Sequence, residues 1–357
     1  MAEILLTIFF ISVLLFFLGS GIWVALSMIG VSAVGMMLFT SRPVGDAMAT
    51  TIWGTSSSWT LTALPLFVWM GEILFRTRLS ENLFKGLSPW MQNLPGGLIH
   101  VNVVGCALFA AISGSSAATV ATVGKMSIPE LRKRNYPEKI LLGSLAGSGT
   151  LGLLIPPSII LIIYGVAVQE SIAKLFIAGI IPGIMIALIF MSYVIIWSLI
   201  NKKDMPKIIE QYSFLEKVKK SKQLLPVIIL ILAVIGSIYT GIATATEAAS
   251  LGVVGALILS YFQKSLNLET FKSSLLGATK TSCMIAFILA GSTFLSLAMG
   301  FTGLPRNLAI WIQNMDLSPY VLIFVLMIFY IILGMFLDGI SAVVLTMAII
   351  EPMIRQA

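Results

Sequence analysis

Two short stretches carry the residues best able to do chemistry in this chain. One is GSLAGSGTLGLLIPPS, from Gly143 to Ser158; the other is SGSSAAT, from Ser113 to Thr119. The first lies inside a long apolar run, yet it places Gly143, Gly147, Gly149 and Gly152 ahead of a Pro156-Pro157 pair. Proline removes a backbone donor and clashes with the preceding turn, and glycine frees the backbone. In lipid, released backbone groups find no water, so such a break persists only where it lines a cavity or faces protein. Broken helices at mid-membrane depth build ion or substrate sites. The plainer reading is a proline-kinked structural helix. The second stretch offers the hydroxyls of Ser113, Ser115, Ser116 and Thr119, which can ligate an ion or cap a half-helix.

Composition places these stretches in a membrane. Hydrophobic residues make up 58% of the 357 and charged residues 10%; mean hydropathy is +1.02. A soluble domain carries roughly 25% charged residues, so the chain reads as an all-α polytopic membrane protein. Only Glu3 precedes the apolar run from Ile4, so no basic region of a cleavable signal is expected. Cys106 and Cys283 lie in apolar segments without a CxxC pair, which suggests neither a metal site nor a disulfide framework. His100 follows Gly96-Gly97 and reads as structural or interfacial rather than as a proton relay. The net charge of +7 reflects basic cytoplasmic loops, not nucleic-acid binding. No HExxH, Ser/His or paired-aspartate arrangement points to an intramembrane enzyme. The tryptophans fall mostly near expected span ends, as interfacial anchors do.

Basic residues gather in three clusters: Arg76, Arg78 and Lys85; Lys125, Arg132, Lys133, Arg134 and Lys139; and Lys202 through Lys222. The positive-inside rule puts all of them in the cytoplasm. Two crossings, 140–165 and 173–200, then join the second cluster to the third, each long enough for the roughly 20 residues a span needs. The apolar stretch 97–124 has cytoplasmic flanks on both sides and is too short for two crossings. It reads as a re-entrant helical hairpin with Ser113–Thr119 at its tip. A single crossing would leave the 125–139 cluster on the wrong side.

The second half repeats the plan. Apolar segments at 224–242 and 244–262 precede Lys264, and Lys272 and Lys280 precede a span at 281–300. A connector with Arg306 and Trp311 follows, and the apolar stretch from Tyr320 is interrupted at Leu337-Asp338-Gly339-Ile340-Ser341. One additional crossing opens this second hairpin from the outside, so the two repeats are inverted. Inverted repeats with broken helices suit an alternating-access carrier better than a channel or an enzyme.

The motifs SGSSAATVATVG (113–124), GTLGLLIPPS (149–158), F-x-A-G-x-x-P-G (Phe176 to Gly183), ATEAAS (245–250) and FLDG (336–339) together resemble the large membrane subunit of tripartite ATP-independent periplasmic (TRAP) transporters. The resemblance covers essentially the whole chain. It implies a sodium-driven importer of the ion-transporter-superfamily type with an elevator mechanism, in the bacterial inner membrane. It also implies a small four-helix membrane subunit, a periplasmic substrate-binding protein and a small carboxylate substrate, with sodium as coupling ion and no other cofactor. In those terms 1–96 holds first-repeat scaffold helices and arm. Residues 97–200 form a transport unit of hairpin 97–124, broken helix 140–165 and span 173–200. Residues 201–223 are a basic cytoplasmic linker, 224–316 second-repeat scaffold helices and arm, and 317–357 the second hairpin. A stand-alone dicarboxylate or citrate carrier, working without a binding protein, is the alternative.

Sodium, a hard cation, prefers oxygen ligands. The expected ligands are the hydroxyls of Ser113, Ser115, Ser116 and Thr119 with the freed backbone at Gly149, Gly152, Ile155, Pro156 and Pro157. A substrate or second ion site is expected from Thr246, Glu247, Arg306, Asp338, Gly339 and Ser341. Intramembrane acids are functional by default, but Thr244 and Glu247 also fit a capping box, and both roles can hold. Glu72, one turn before Arg76, reads as an interfacial ion pair. The chain departs from the family pattern at its end. The offset from Ser115 to Pro156, applied after Asp338, falls beyond Ala357. The expectation is therefore a shortened chain without its second broken helix, with Asp338 and Ser341 facing lipid or water.

Overall fold

The computed structural model describes the backbone of residues 2–356 apart from Arg78, 207–211, Leu304, Arg306, 308–309, 311–317, Phe336 and Asp338. Among the described residues every regular element is helical: α1 (Ala2–Gly19), α2 (Val24–Phe39), α3 (Val44–Ser56), α4 (Ala63–Phe75), α5 (Leu79–Met91), α6 (His100–Ser113), α7 (Ser116–Lys133), α8 (Glu138–Gly149), α9 (Ile159–Val168), α10 (Ile172–Ile200), α11 (Phe214–Ser221), α12 (Leu225–Tyr239), α13 (Ala245–Phe262) and α14 (Leu268–Thr302), then helices Pro319–Gly334 and Gly339–Gln356. Among them Ile172–Ile200, Ala245–Phe262 and Leu268–Thr302 are long and apolar enough to cross a membrane, or five spans if two bent pairs each count as one. One such pair is α11 with α12, bent by 60°.

Two of these helices overrun their expected bounds. The second hairpin arm continues past 124 to Lys133 and takes Lys125 into the helix. α14 begins at Leu268, so Lys272 and Lys280 lie within it rather than before it. Basic residues are good helix formers, and Arg132 and Lys133 in the last turn of α7 favour its dipole. A run of basic residues does not by itself stop a helix.

The chain divides into two compact units: residues 1–61, 163–170 and 282–357 in one, 62–162 with 171–281 in the other. In the first, Met36, Phe294 and Ala298 form a buried centre covered by Ile29, Ala33, Val44 and Phe301. A Cβ on Gly291 would lie 2.8 Å from the Ala25 carbonyl oxygen, so α14 and α2 touch backbone to backbone. The Ser292 hydroxyl donates to the Val344 carbonyl at 2.7 Å.

In the second unit, Ile99, Ile140 and Val194 form a buried cluster with Tyr136 and Trp197. The Tyr136 hydroxyl, in the loop after α7, accepts from Leu98 N–H at 3.0 Å, and burial pushes its phenol above the ordinary range. Lipid is as apolar as leucine, so burial alone gives little drive within a bilayer; close approach through small residues and interhelical hydrogen bonds matter more. Asn102 supplies such a bond, its amide donating to the Leu141 carbonyl at 3.2 Å and the Ser144 hydroxyl at 3.0 Å. His100 is buried and its Nε2 meets the Pro95 carbonyl at 2.8 Å, which fits the structural reading. Short amphipathic α11 lies against α5, where Trp90 donates to Ser221 at 2.7 Å.

Candidate functional site

The hairpin forms as a tight helix–turn–helix. α6 ends at Gly114, whose φ of 58° caps the helix in the left-handed region while its N–H bonds the Ala110 carbonyl. Glycine bears that conformation without the cost a side chain would add. Ser115 turns extended and starts α7, its hydroxyl accepting from Ala118 N–H at 3.4 Å. The Thr119 hydroxyl donates to the Ser115 carbonyl at 2.7 Å and lies 2.9 Å from the Ser113 hydroxyl. The tip thus gathers the oxygens of Ser113, Ser115 and Thr119. Ser113 and Thr119 are buried; Ser115 and Ser116 are half-buried.

The break forms next to it. α8 stops at Gly149, a 3₁₀ turn runs Thr150–Leu153, and α9 begins only at Ile159. In an uninterrupted helix the carbonyls of Gly152 and Leu153 would receive N–H groups from 156 and 157, and both positions are proline. The Ser158 hydroxyl donates to the Leu153 carbonyl instead. Gly152, Pro156 and Pro157 are buried and Ile155 is half-buried.

Tip and break are in contact. The Ile159 N–H donates to the Gly114 carbonyl at 3.4 Å. A Cβ on Gly114 would lie 2.9 Å from the Pro157 carbonyl oxygen. One on Gly152 would lie 2.9 Å from the Ser115 carbonyl carbon and 3.0 Å from Ser116 N. On Gly149 it would overlap Val120. Apart from Ile155 and Pro156, whose side chains lie against glycines of α10, the expected sodium-ligand positions therefore belong to, or directly border, one junction of hairpin tip and broken helix. Ile155 faces the other way, toward α10, where a Cβ on Gly183 would meet its side chain at 2.9 Å.

The ends of four helical segments converge here. The C-terminal ends of α6 and of the 3₁₀ turn after α8 present carbonyl oxygens, which suit a cation. The N-terminal ends of α7 and α9 present N–H groups, which suit an anion.

The expected second site is described only in part. Arg306 and Asp338 lie outside the described residues. Glu247 completes the capping box of α13, its carboxylate accepting from both the N–H and the hydroxyl of Thr244 at 2.8 Å. Thr246 is half-buried, and its carbonyl accepts from the Ser250 hydroxyl at 3.1 Å. Gly339 begins the last helix. Ser341 is 3% exposed, which corrects the expectation that it faces lipid or water. Thr246 and Glu247 fall in one compact unit, Gly339 and Ser341 in the other.

Three features of the junction escape a reading of its motifs alone. Gly71 of α4 touches the tip, for a Cβ there would lie 3.0 Å from Ser113 Cα. Gly179 and Gly183 of F-x-A-G-x-x-P-G face the break; a Cβ on Gly179 would lie 2.9 Å from the Leu154 carbonyl oxygen. Their spacing of one helical turn was the available signal. Glu72 forms the expected ion pair with Arg76. It also lines a cavity of about 110 Å³ together with Gly71, Ser113, Ser115, Ile159 and Thr281.

Comparison with known proteins gives concordant matches. Residues 9–357 match the family described as "Tripartite ATP-independent periplasmic transporter, DctM component". The C4-dicarboxylate TRAP transporter large permease protein DctM of Pseudomonas aeruginosa is 33% identical over 317 residues, spanning 88% of this chain and 73% of that protein. The sialic acid TRAP transporter large permease protein SiaM of Vibrio cholerae is 30% identical over 336 residues, 93% of this chain and 77% of the relative. The isethionate TRAP transporter permease protein DctMQ of Oleidesulfovibrio alaskensis is 29% identical over 344 residues, 95% of this chain and 53% of the relative.

Proposed function

This chain belongs to the DctM family of tripartite ATP-independent periplasmic transporters, a transporter component rather than an enzyme, and from that premise we propose that it is a sodium-coupled importer subunit for a small organic acid. The observation that carries the proposal is the seating of the hairpin tip, Gly114 to Ser116, in the break between Gly149 and Ile159. Carbonyls and hydroxyls collect there for a hard cation, and helix N-termini for an anion. One junction serving two opposite charges gives coupling a physical basis, because sodium bound at the carbonyls favours the carboxylate placed nearby.

Acids named for the relatives, a C4-dicarboxylate and sialic acid, support the substrate class. A small membrane subunit and a periplasmic binding protein complete the assembly at the bacterial inner membrane. Scaffold regions 1–96 and 224–316 hold still while 97–200 and 317–357, built as inverted copies, carry the ligands in an elevator movement.

The experiment is uptake into proteoliposomes with the small subunit and binding protein, with and without an inward sodium gradient. Ser115→Ala removes one tip hydroxyl and is expected to weaken sodium dependence by about tenfold, the worth of one good ligand or hydrogen bond to a charge. Sodium-independent uptake by the unaltered protein would defeat the proposal. Uptake without any binding protein would favour a stand-alone carrier.

The re-entrant geometry has its own test. Single cysteines beside Lys85 and Arg132 flank the hairpin and are expected to react with an impermeant maleimide only from the cytoplasmic side. Labelling of the Arg132 position from the periplasm would make the hairpin a full crossing.

A further inference from the structure

Glu72 is the one residue in the α4 sequence ALPLFVWMGEILF that carries a charge. A charge within an apolar helix is expensive and marks a functional position by default. The intrahelical pair with Arg76 explains part of its presence, since Arg76 bonds both the Glu72 carboxylate and the Glu72 carbonyl, the latter at 3.0 Å. Such i,i+4 pairs contribute little, and the pair leaves three features unexplained.

Glu72 lines the cavity at the hairpin tip, where Ser113, Ser115 and Thr281 are the hydroxyl-bearing residues of the lining. The surroundings are shaped around the carboxylate, for a Cβ on Gly277 would lie 2.7 Å from Glu72 Oε2 and 3.1 Å from the Arg76 guanidinium. Only Oε2 is bonded to Arg76; a carboxylate has about four lone-pair positions, so Oε1 remains able to accept. The volume of about 110 Å³ exceeds a single water's share several-fold, so a cation there can keep part of its hydration.

We propose that this cavity is a monovalent-cation station whose charged ligand is Glu72, with Arg76 as the counter-ion that the arriving cation partly displaces. It lies beside the junction of tip and break and is additional to that junction's backbone oxygens. The station rests on the sodium-coupled reading above and extends it: sodium leaving the tip meets a fixed negative charge one residue from the Gly71–Ser113 contact. Arg76 keeps its hold on the helix-end carbonyl and sets the affinity low enough for release.

The test is sodium titration of the full chain in lipid nanodiscs, read as thermal stabilisation against choline chloride at constant ionic strength. Glu72→Gln is expected to raise the half-maximal sodium concentration by about tenfold, the cost of losing one charged ligand. Arg76→Gln is expected to lower it, because the competitor is gone; a purely structural pair would make both variants respond alike. Unchanged affinity in Glu72→Gln, or unchanged or weakened affinity in Arg76→Gln, overturns the station and leaves the junction reading intact. Absence of any sodium response in the unaltered protein overturns both. Should Glu72→Gln fail to fold, the Arg76→Gln result decides alone.

Discussion

Gly152→Ala is expected to reduce sodium-driven uptake about a hundredfold while leaving the helical content unchanged. The added Cβ would lie 2.9 Å from the Ser115 carbonyl carbon, 3.0 Å from its oxygen and 3.0 Å from Ser116 N. All three are backbone atoms, so no rotamer change relieves the contact. The hairpin tip must back away from the break. Overpacking of this kind costs about 1–3 kcal/mol, which a well-packed fold survives. Function is less tolerant: displacement of reacting or ligating groups by about 1 Å costs on the order of a hundredfold. Gly143→Ala supplies the control, since nothing lies within 4 Å of its Cβ position. Within α8 it is expected to be neutral or stabilising by up to about 1 kcal/mol. Equal uptake by both variants would show that tip and break need not touch for transport.

Gly114→Val is expected to damage the fold itself. The residue sits at φ 58°, and the Cβ would lie 2.9 Å from the Pro157 carbonyl oxygen and 3.0 Å from Ile159 N. Left-handed backbone costs an ordinary residue about 1–2 kcal/mol. Overpacking adds about 1–3 kcal/mol, and the Ile159 N–H to Gly114 bond is put at risk. The sum of about 2–5 kcal/mol rivals a whole domain's margin of about 5–15 kcal/mol. The expected readout is loss of the monodisperse peak in detergent or a large fall in melting temperature. Gly114→Asn separates the two costs, because asparagine tolerates the left-handed region yet still carries a Cβ. It should fall between glycine and valine. A valine variant as stable as the unaltered protein would mean that the turn can flip and that the tip is loosely held.

Much of the helical layout was legible from local chemistry. The expected span 173–200 is α10, Ile172–Ile200, and 244–262 is α13, Ala245–Phe262. The expected break sits between Gly149 and Ile159. The cap of Glu247 on Thr244 was readable from a spacing of three residues. These features depend on hydropathy, proline geometry, glycine freedom and short-range hydrogen bonds, which act within a turn or two of the residue concerned. Helix limits beside charged residues were not readable in the same way, as the end of α7 and the start of α14 show.

Residue types alone established that this chain would be membrane helices interrupted by a glycine- and proline-rich break and by a hydroxyl-rich turn. They did so because backbone interruption is a local property and lipid makes each interruption costly. Only the tertiary structure decided that the turn and the break meet. It also decided that Gly71, Gly152, Gly179 and Gly183 are contact points, and that Glu72 opens onto the same cavity as Ser113 and Ser115. Those facts join residues far apart along the chain, and which small residue receives which neighbour is set by how the helices pack.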